Sequence, residues 1–291
     1  MTSPVVKIRN LEKHYGRTQV VDIPQLDIEP GRIVGLIGPN GAGKTSTIRC
    51  LLGLSQFKGQ LEVLGLNPYT DRSKLLKDVA FIADTAVLPK WINTQQLLDY
   101  MAKVHPNFNI EKAKRFLSQT NIRPTAKVKT LSKGMMTQLH LALVIAIEAK
   151  LLLLDEPTLG LDIIYRQQFY EQLLNDFFEE DRTIIITTHQ VEEIETILTD
   201  LIFINQGSVV LNVAMDDIAS RFVELTVSSD NYQQAKALNP IRERSNLGNT
   251  IFTFEDTDPQ LLTNLGRMNT PSLSNLFIAK CAQDSAKGVQ S

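Results

Sequence analysis

Gly38-Pro39-Asn40-Gly41-Ala42-Gly43-Lys44-Thr45 decides how this chain is read. It matches G-x-x-x-x-G-K-[ST] over all eight positions. It follows Arg32-Ile33-Val34-Gly35-Leu36-Ile37, an almost wholly apolar stretch of the kind expected in a strand covered on both faces, and it opens a helix expected from Lys44 to about Leu54. Glycines at 41 and 43 permit a positive φ and let the main chain approach closely, so successive amides converge on phosphate oxygens. The helix adds the positive end of its dipole. In this arrangement Lys44 neutralises β- and γ-phosphate charge and the Thr45 hydroxyl coordinates Mg²⁺. Gly38, Pro39, Asn40, Gly41, Ala42, Gly43, Lys44, Thr45 and Ser46 are therefore the expected nucleotide cradle. A chance glycine-rich turn that happens to carry a lysine is the competing reading, and the strand–turn–helix context argues against it.

Downstream, Leu151-Leu152-Leu153-Leu154-Asp155-Glu156 is an apolar run ending in two acids. Leucine favours helices, so propensity alone would extend the preceding helical stretch through it; the acids that follow identify a buried strand instead. A carboxylate at a strand's carboxyl end can face the Mg²⁺ of a phosphate loop on the neighbouring strand, which is the role expected of Asp155. Glu156 is the candidate for orienting and deprotonating an attacking water. Ile184-Ile185-Ile186 reads as a β-branched strand that runs through Thr187-Thr188 into His189.

Around these motifs, Val5 to Arg9, Val20-Val21 and Leu26 to Ile28 read as short strands of a meander. Ser73 to Glu148 reads as mostly helical, with one strand at Val79 to Ile82. Past Val213 the pattern becomes a small α+β unit, with strands at Val223 to Val227 and Thr250 to Phe254 and helices near Tyr232–Leu238 and Pro259–Leu265; the polar tail after Ala282 is expected to fray. The longest apolar run, Leu141 to Ile147, spans seven residues, against the ~20 a membrane-crossing helix needs. A formal net charge of −2 implies no general electrostatic attraction to nucleic acid or anionic lipid. Two cysteines, Cys50 and Cys281, show no metal-ligand spacing and suit a reduced, cytoplasmic chain.

Leu131-Ser132-Lys133-Gly134-Met135 resembles the signature sequence of the ATP-binding-cassette (ABC) family, in which the signature of one subunit covers the γ-phosphate held by another. Ser132 is a natural helix N-cap and Gly134 keeps the approach open. Met135 departs from the family's usual glutamine without touching the residues that would meet phosphate. Thr158-Leu159-Gly160-Leu161-Asp162 resembles the family's loop between subunits, His189 its switch histidine, and Tyr15 its adenine-stacking aromatic. Asp84, in Phe81-Ile82-Ala83-Asp84-Thr85, stands where the family usually has a glutamine.

The resemblance runs from about Val5 to Leu211. It implies an α/β P-loop NTPase fold, an ABC ATPase core with an antiparallel β subdomain and a helical subdomain at about 84–148. Residues 1–212 would form the ATPase domain and 213–291 a small C-terminal α+β appendage. It implies ATP and Mg²⁺ as ligands, Glu156, His189, Lys44 and Asp84 as catalytic residues, Thr45 and Asp155 as metal ligands, and Tyr15, Ser132, Gly134 and Asp162 as further nucleotide contacts. The partners implied are a second cassette subunit, head to tail, and a separate multi-span membrane permease, with no nucleic acid. The chain would then sit in the cytoplasm, peripheral on the inner face of the membrane. The stretch Val87-Leu88-Pro89-Lys90-Trp91-Ile92 is the expected permease contact, although Trp91 could instead cap the helical subdomain's core. Pro271-Ser272-Leu273-Ser274-Asn275-Leu276-Phe277 resembles the endings of cassettes paired with export permeases, which favours export. The alternative is a non-transport ABC ATPase acting on ribosomes or DNA. The spacing from Lys44 to Asp155, with no heptad run and no second cassette, argues against it.

Overall fold

A computed structural model describes residues 3–83, 88–180, 182–246 and 248–288. The chain opens with a hairpin, β1 (Val6–Tyr15) and β2 (Thr18–Ile28), turning at Gly16 with φ 59. These two strands are longer than the short meander expected. Apolar residues alternate inward at Val6, Ile8, Val21 and Ile23, and a register shift between Lys13 and His14 lets the pairing run on to the turn. After β3 (Ile33–Ile37) and α1 (Lys44–Leu51), β4 (Lys58–Val63) pairs with β1 to complete a three-stranded antiparallel sheet.

Next come α2 (Arg72–Leu75), β5 (Val79–Ile82), α3 (Thr94–Val104), α4 (Ile110–Ser118) and α5 (Lys133–Ile145). They lead to β6 (Leu151–Asp155), α6 (Ile163–Glu180), β7 (Thr183–Thr188), β8 (Asp200–Asn205) and β9 (Ser208–Ala214). The central sheet has the order β5-β6-β7-β3-β8-β9, parallel apart from the antiparallel edge strand β9. One point of the sequence reading is corrected here. The cradle strand β3 does not neighbour the acidic strand β6, because β7 lies between them.

Every residue of β3 is buried because both faces of the sheet are covered. Ile33 and Ile37 face a core shared with α5 and α6, whereas Val34 and Leu36 face one shared with the hairpin sheet and α1. A third cluster, including Leu97, Leu98, Leu117 and Leu139, holds α3, α4 and α5 together. Asn93 starts α3 with a reciprocal capping box to Gln96.

The C-terminal part comprises α7 (Met215–Arg221), β10 (Phe222–Val227), α8 (Tyr232–Lys236), β11 (Arg242–Asn246), β12 (Asn249–Glu255), α9 (Pro259–Leu262) and β13 (Arg267–Asn269). Its four strands form a separate antiparallel sheet, β11-β12-β10-β13, over a core containing Leu225, Phe252, Phe254 and Leu262. The last helix, α10 (Leu273–Gly288), then leaves that sheet and returns to the main body. Leu273 and Leu276 enter the core beneath the central sheet, and the Phe277 ring meets Phe203 of β8 edge-on at 5.1 Å. The segment after Ala282, expected to fray, continues as helix to Gly288.

Candidate functional site

The cradle sits at the carboxyl end of β3, where the chain turns into α1. Gly41 and Gly43 adopt φ of 81 and 104, as the motif's physics requires. Space matters as much as conformation. A Cβ on Gly43 would lie 2.6 Å from the Val20 carbonyl oxygen, and one on Gly38 would lie 2.3 Å from that of Ile204. The turn is therefore threaded between the hairpin and β8. Lys44 is 7% exposed, and its Nζ donates to the carbonyls of Gly38 at 2.7 Å and Pro39 at 3.2 Å. Burial lowers the Lys44 pKa from the ordinary lysine value, and the Glu156 and Asp155 carboxylates oppose that shift.

Asp155 ends β6, and β7 supplies what bridges it to the cradle. Thr45 Oγ1 donates to Asp155 Oδ2 at 2.8 Å, while Thr187 Oγ1, on β7, donates to Asp155 Oδ1 at 2.5 Å. Both carboxylate oxygens of this buried residue are thus held. The next residue, Glu156, has φ 49, an uncommon left-handed conformation for a side chain of this size. Its amide donates to the Thr187 carbonyl at 3.1 Å. His189 Nδ1 lies 2.9 Å from Glu156 Oε1. A cavity of about 500 Å³ joins these groups: residues 39–46 line it together with Asp155, Glu156 and His189.

The remaining expected residues lie outside that lining. Tyr15, at the hairpin tip, is 46% exposed, with the Lys13 ammonium 4.6 Å from its ring centroid. Hydrogen bonding to Ser55, aided by Ser46 and Arg49, holds its hydroxyl below the usual phenol range. Ser132 caps α5 by accepting from the Met135 amide at 3.2 Å, and the Gly134 surface is open, with the Gly160 carbonyl 3.7 Å from where a Cβ would stand. Asp162 caps α6 by accepting from the amides of Ile164 and Tyr165. Asp84 and Val87 lie outside the described residues. Trp91 is 79% exposed and so does not cap the helical core, the alternative its sequence context left open.

Sequence reasoning passed over Thr187, although it stands two residues before His189, where a strand tip delivers side chains to the same edge. It also passed over Val20 and Leu159 as parts of the cavity wall, over Arg166 on the first turn of α6, and over Gln190 and Glu193 on the turn after β7. Only the folded arrangement brings these groups together.

The profile described as "ABC transporter" matches residues 21–159. The Nod factor export ATP-binding protein I of Cupriavidus metallidurans is 31% identical over 284 residues, covering 90% of this chain and 89% of that protein. The bacitracin transport ATP-binding protein BcrA of Bacillus licheniformis is 29% identical over 235 residues, covering 79% of this chain and 77% of its own length. An uncharacterized ABC transporter ATP-binding protein of Bacillus subtilis, YdbJ, is 27% identical over 283 residues, covering 96% of this chain and 89% of that protein. Among solved structures, an ATP-binding subunit of an ABC transporter superposes with a TM-score of 0.66 at 23% identity, covering 74% of this chain and 91% of the other. Full-length kinship of this kind, on a fold that carries the phosphate cradle, makes the chain a member of the ABC transporter ATP-binding protein family.

Proposed function

We propose that this chain is the ATP-hydrolysing motor of an exporter whose membrane-crossing part is a separate polypeptide, and that it works as a head-to-tail pair closed around two ATP molecules. One observation carries the reading: the cradle, Asp155, Glu156 and His189 all face a single cavity at the carboxyl edge of the central sheet. The residues suit Mg²⁺. The Thr45 hydroxyl and the Asp155 carboxylate are hard oxygen donors within 2.8 Å of each other, beside a loop built for phosphate. Few protein ligands are needed where phosphate and water complete the shell. When bound, that ion neutralises phosphate charge.

The protein's own contribution is then positional. The amides of residues 39–46 and the Lys44 ammonium hold the β- and γ-phosphates, and the buried, partly desolvated cation strengthens that attraction. Glu156, turned by its left-handed backbone, orients an attacking water and accepts its proton, while His189 fixes the glutamate and faces the γ-phosphate. Tyr15 offers its ring to the adenine. Ser132 and Gly134 lie outside the cavity, at the exposed start of α5, where the helix dipole suits an anion held by a second copy, with Asp162 at the same junction. In this scheme residues 1–212 form the ATPase domain, with the helical subdomain at about 84–148, and 213–291 form the appendage.

The names of two similar proteins, one for Nod factor export and one for bacitracin transport, support export. Among the described residues no helix is long and apolar enough to cross a membrane. In this reading a separate permease holds the chain at the inner face. Exposed Trp91 is the contact proposed for it. Trp91→Ala should weaken co-purification with the permease and lower permease-stimulated ATPase, leaving the basal rate intact; parent-level values of both would remove this contact.

The test of the whole reading uses Glu156→Gln with Mg-ATP, in size-exclusion chromatography with light scattering. The variant should bind ATP, turn over very slowly and accumulate as a dimer. A variant that stays monomeric with ATP, even with its membrane counterpart supplied, would overturn the proposal.

A further inference from the structure

Glu156 and His189 stand beyond Asp155↔Thr187, the last pair between β6 and β7, so the register of those two strands alone does not fix one side chain against the other. Each leads into its own loop, residues 157–162 after Glu156 and the turn from Gln190 to Glu193 after His189. Arg166, on the first turn of α6, ties the two together. Its Nε donates to the Leu161 carbonyl at 2.9 Å, on the first loop. Its Nη1 donates to Gln190 Oε1 at 2.8 Å and to the Glu193 carboxylate, both on the second. The other Glu193 oxygen accepts from Thr158 Oγ1 at 3.5 Å, which returns to the first loop and closes the ring of contacts. Arg166 and Glu193 are both about three-quarters covered, so water screens their attraction only in part. Arg166 is not among the residues that line the nucleotide cavity.

We propose that Arg166 is a positioning residue for ATP hydrolysis: by bracing the loop after Glu156 against the turn after His189, it holds the glutamate–histidine pair in register for attack on the γ-phosphate. The planar guanidinium suits the task, since its fork can serve a main-chain carbonyl, an amide oxygen and a carboxylate at once, which an ammonium cannot do in fixed geometry. The inference rests on the catalytic reading of Glu156 and His189 given above and adds what keeps them aligned. A small misplacement of such a pair slows chemistry far more than it weakens nucleotide binding.

The test uses the full-length chain carrying Arg166→Met, Arg166→Lys or Glu193→Gln, with Arg166→Met also placed on a His189→Ala background. Steady-state kinetics with Mg-ATP, the affinity for a fluorescent ATP analogue and the thermal midpoint are measured on each. For Arg166→Met, kcat should fall about ten-fold or more while nucleotide affinity stays within about two-fold, and Arg166→Lys should recover part of the loss. On the His189→Ala background Arg166→Met should cost nothing further, because it acts through that histidine. A parent-like kcat in Arg166→Met, an equal loss of affinity and kcat, or a full additional loss on the His189→Ala background would overturn the inference. If Arg166→Met does not fold, Glu193→Gln and Gln190→Ala decide by the same criteria, since each removes one acceptor and leaves the cation in place. Glu156→Gln serves as the reference. If it stops turnover while the brace variants do not, only the brace fails; if it hydrolyses ATP at the parent rate, the brace falls with the catalytic reading.

Discussion

Gly43 illustrates how little freedom single residues have here. Its φ of 104 disfavours any side chain by conformation, and the Val20 carbonyl, 2.6 Å from where a Cβ would stand, excludes one by volume. Gly43→Ala should therefore lower stability by roughly 1–3 kcal/mol and weaken nucleotide binding, both readable in a thermal melt with and without Mg-ATP. Lys44→Ala should lose nucleotide affinity and ATP-driven pairing together, measured by titration and by chromatography. Cys50 gives a different check on the same helix. It is fully buried, and burial pushes its thiol up to about 11, so at pH 8 only about one thiol in a thousand would be ionised. A thiol reagent applied to the folded chain at pH 8 should leave Cys50 untouched and label it on unfolding; the label is located by mass spectrometry.

At the scale of elements, legibility followed chemistry. The cradle strand, β5 and the acidic end of β6 were readable because each is an apolar run with a sharp change of residue type at its carboxyl end. The strands β4, β8, β9, β11 and β13 were not. In β4 only Leu61 and Val63 are buried, and β11, Arg242–Asn246, is a charged and polar edge whose pairing with β12 comes from backbone groups that leave no sequence pattern. The α10 segment misled in another way. Its polar tail looked unanchored, yet the apolar residues ahead of it, Leu273 and Leu276, pin the helix to the main core. For α5, Ser132→Ala removes the N-cap hydrogen bond and should cost about 1 kcal/mol of stability. If α5 addresses a nucleotide held by a second copy, the same change should slow ATP turnover without weakening ATP binding to a single chain, a split that equilibrium titration against steady-state rate will reveal.

For the whole molecule, the decisive arrangement is the order β6-β7-β3 at the middle of the central sheet. A carboxylate at a strand's carboxyl end is expected to face a phosphate loop on the adjoining strand. Instead β7 intervenes and turns the gap to use, with Thr187 bonded to Asp155 and His189 beside Glu156. The appendage joins this body through α10 as well as through α7. Leu276 is fully buried in the main core, and Leu276→Ala should cost about 2–5 kcal/mol. Thermal unfolding of that variant should stay a single transition at a lower midpoint. Two separate transitions would show that the appendage melts on its own.

The route of the chain explains why. It leaves the central sheet at Ala214 and comes home at Leu273, so the four-stranded unit is an excursion with two attachment points rather than a pendant on one tether. The second attachment also reaches the outer rim of the main body, where the Ser274 hydroxyl donates to Glu192, three residues along the chain from His189. The four-stranded unit is thereby moored at both ends of its detour, and the second mooring lies close to the wall of the cavity that His189 lines.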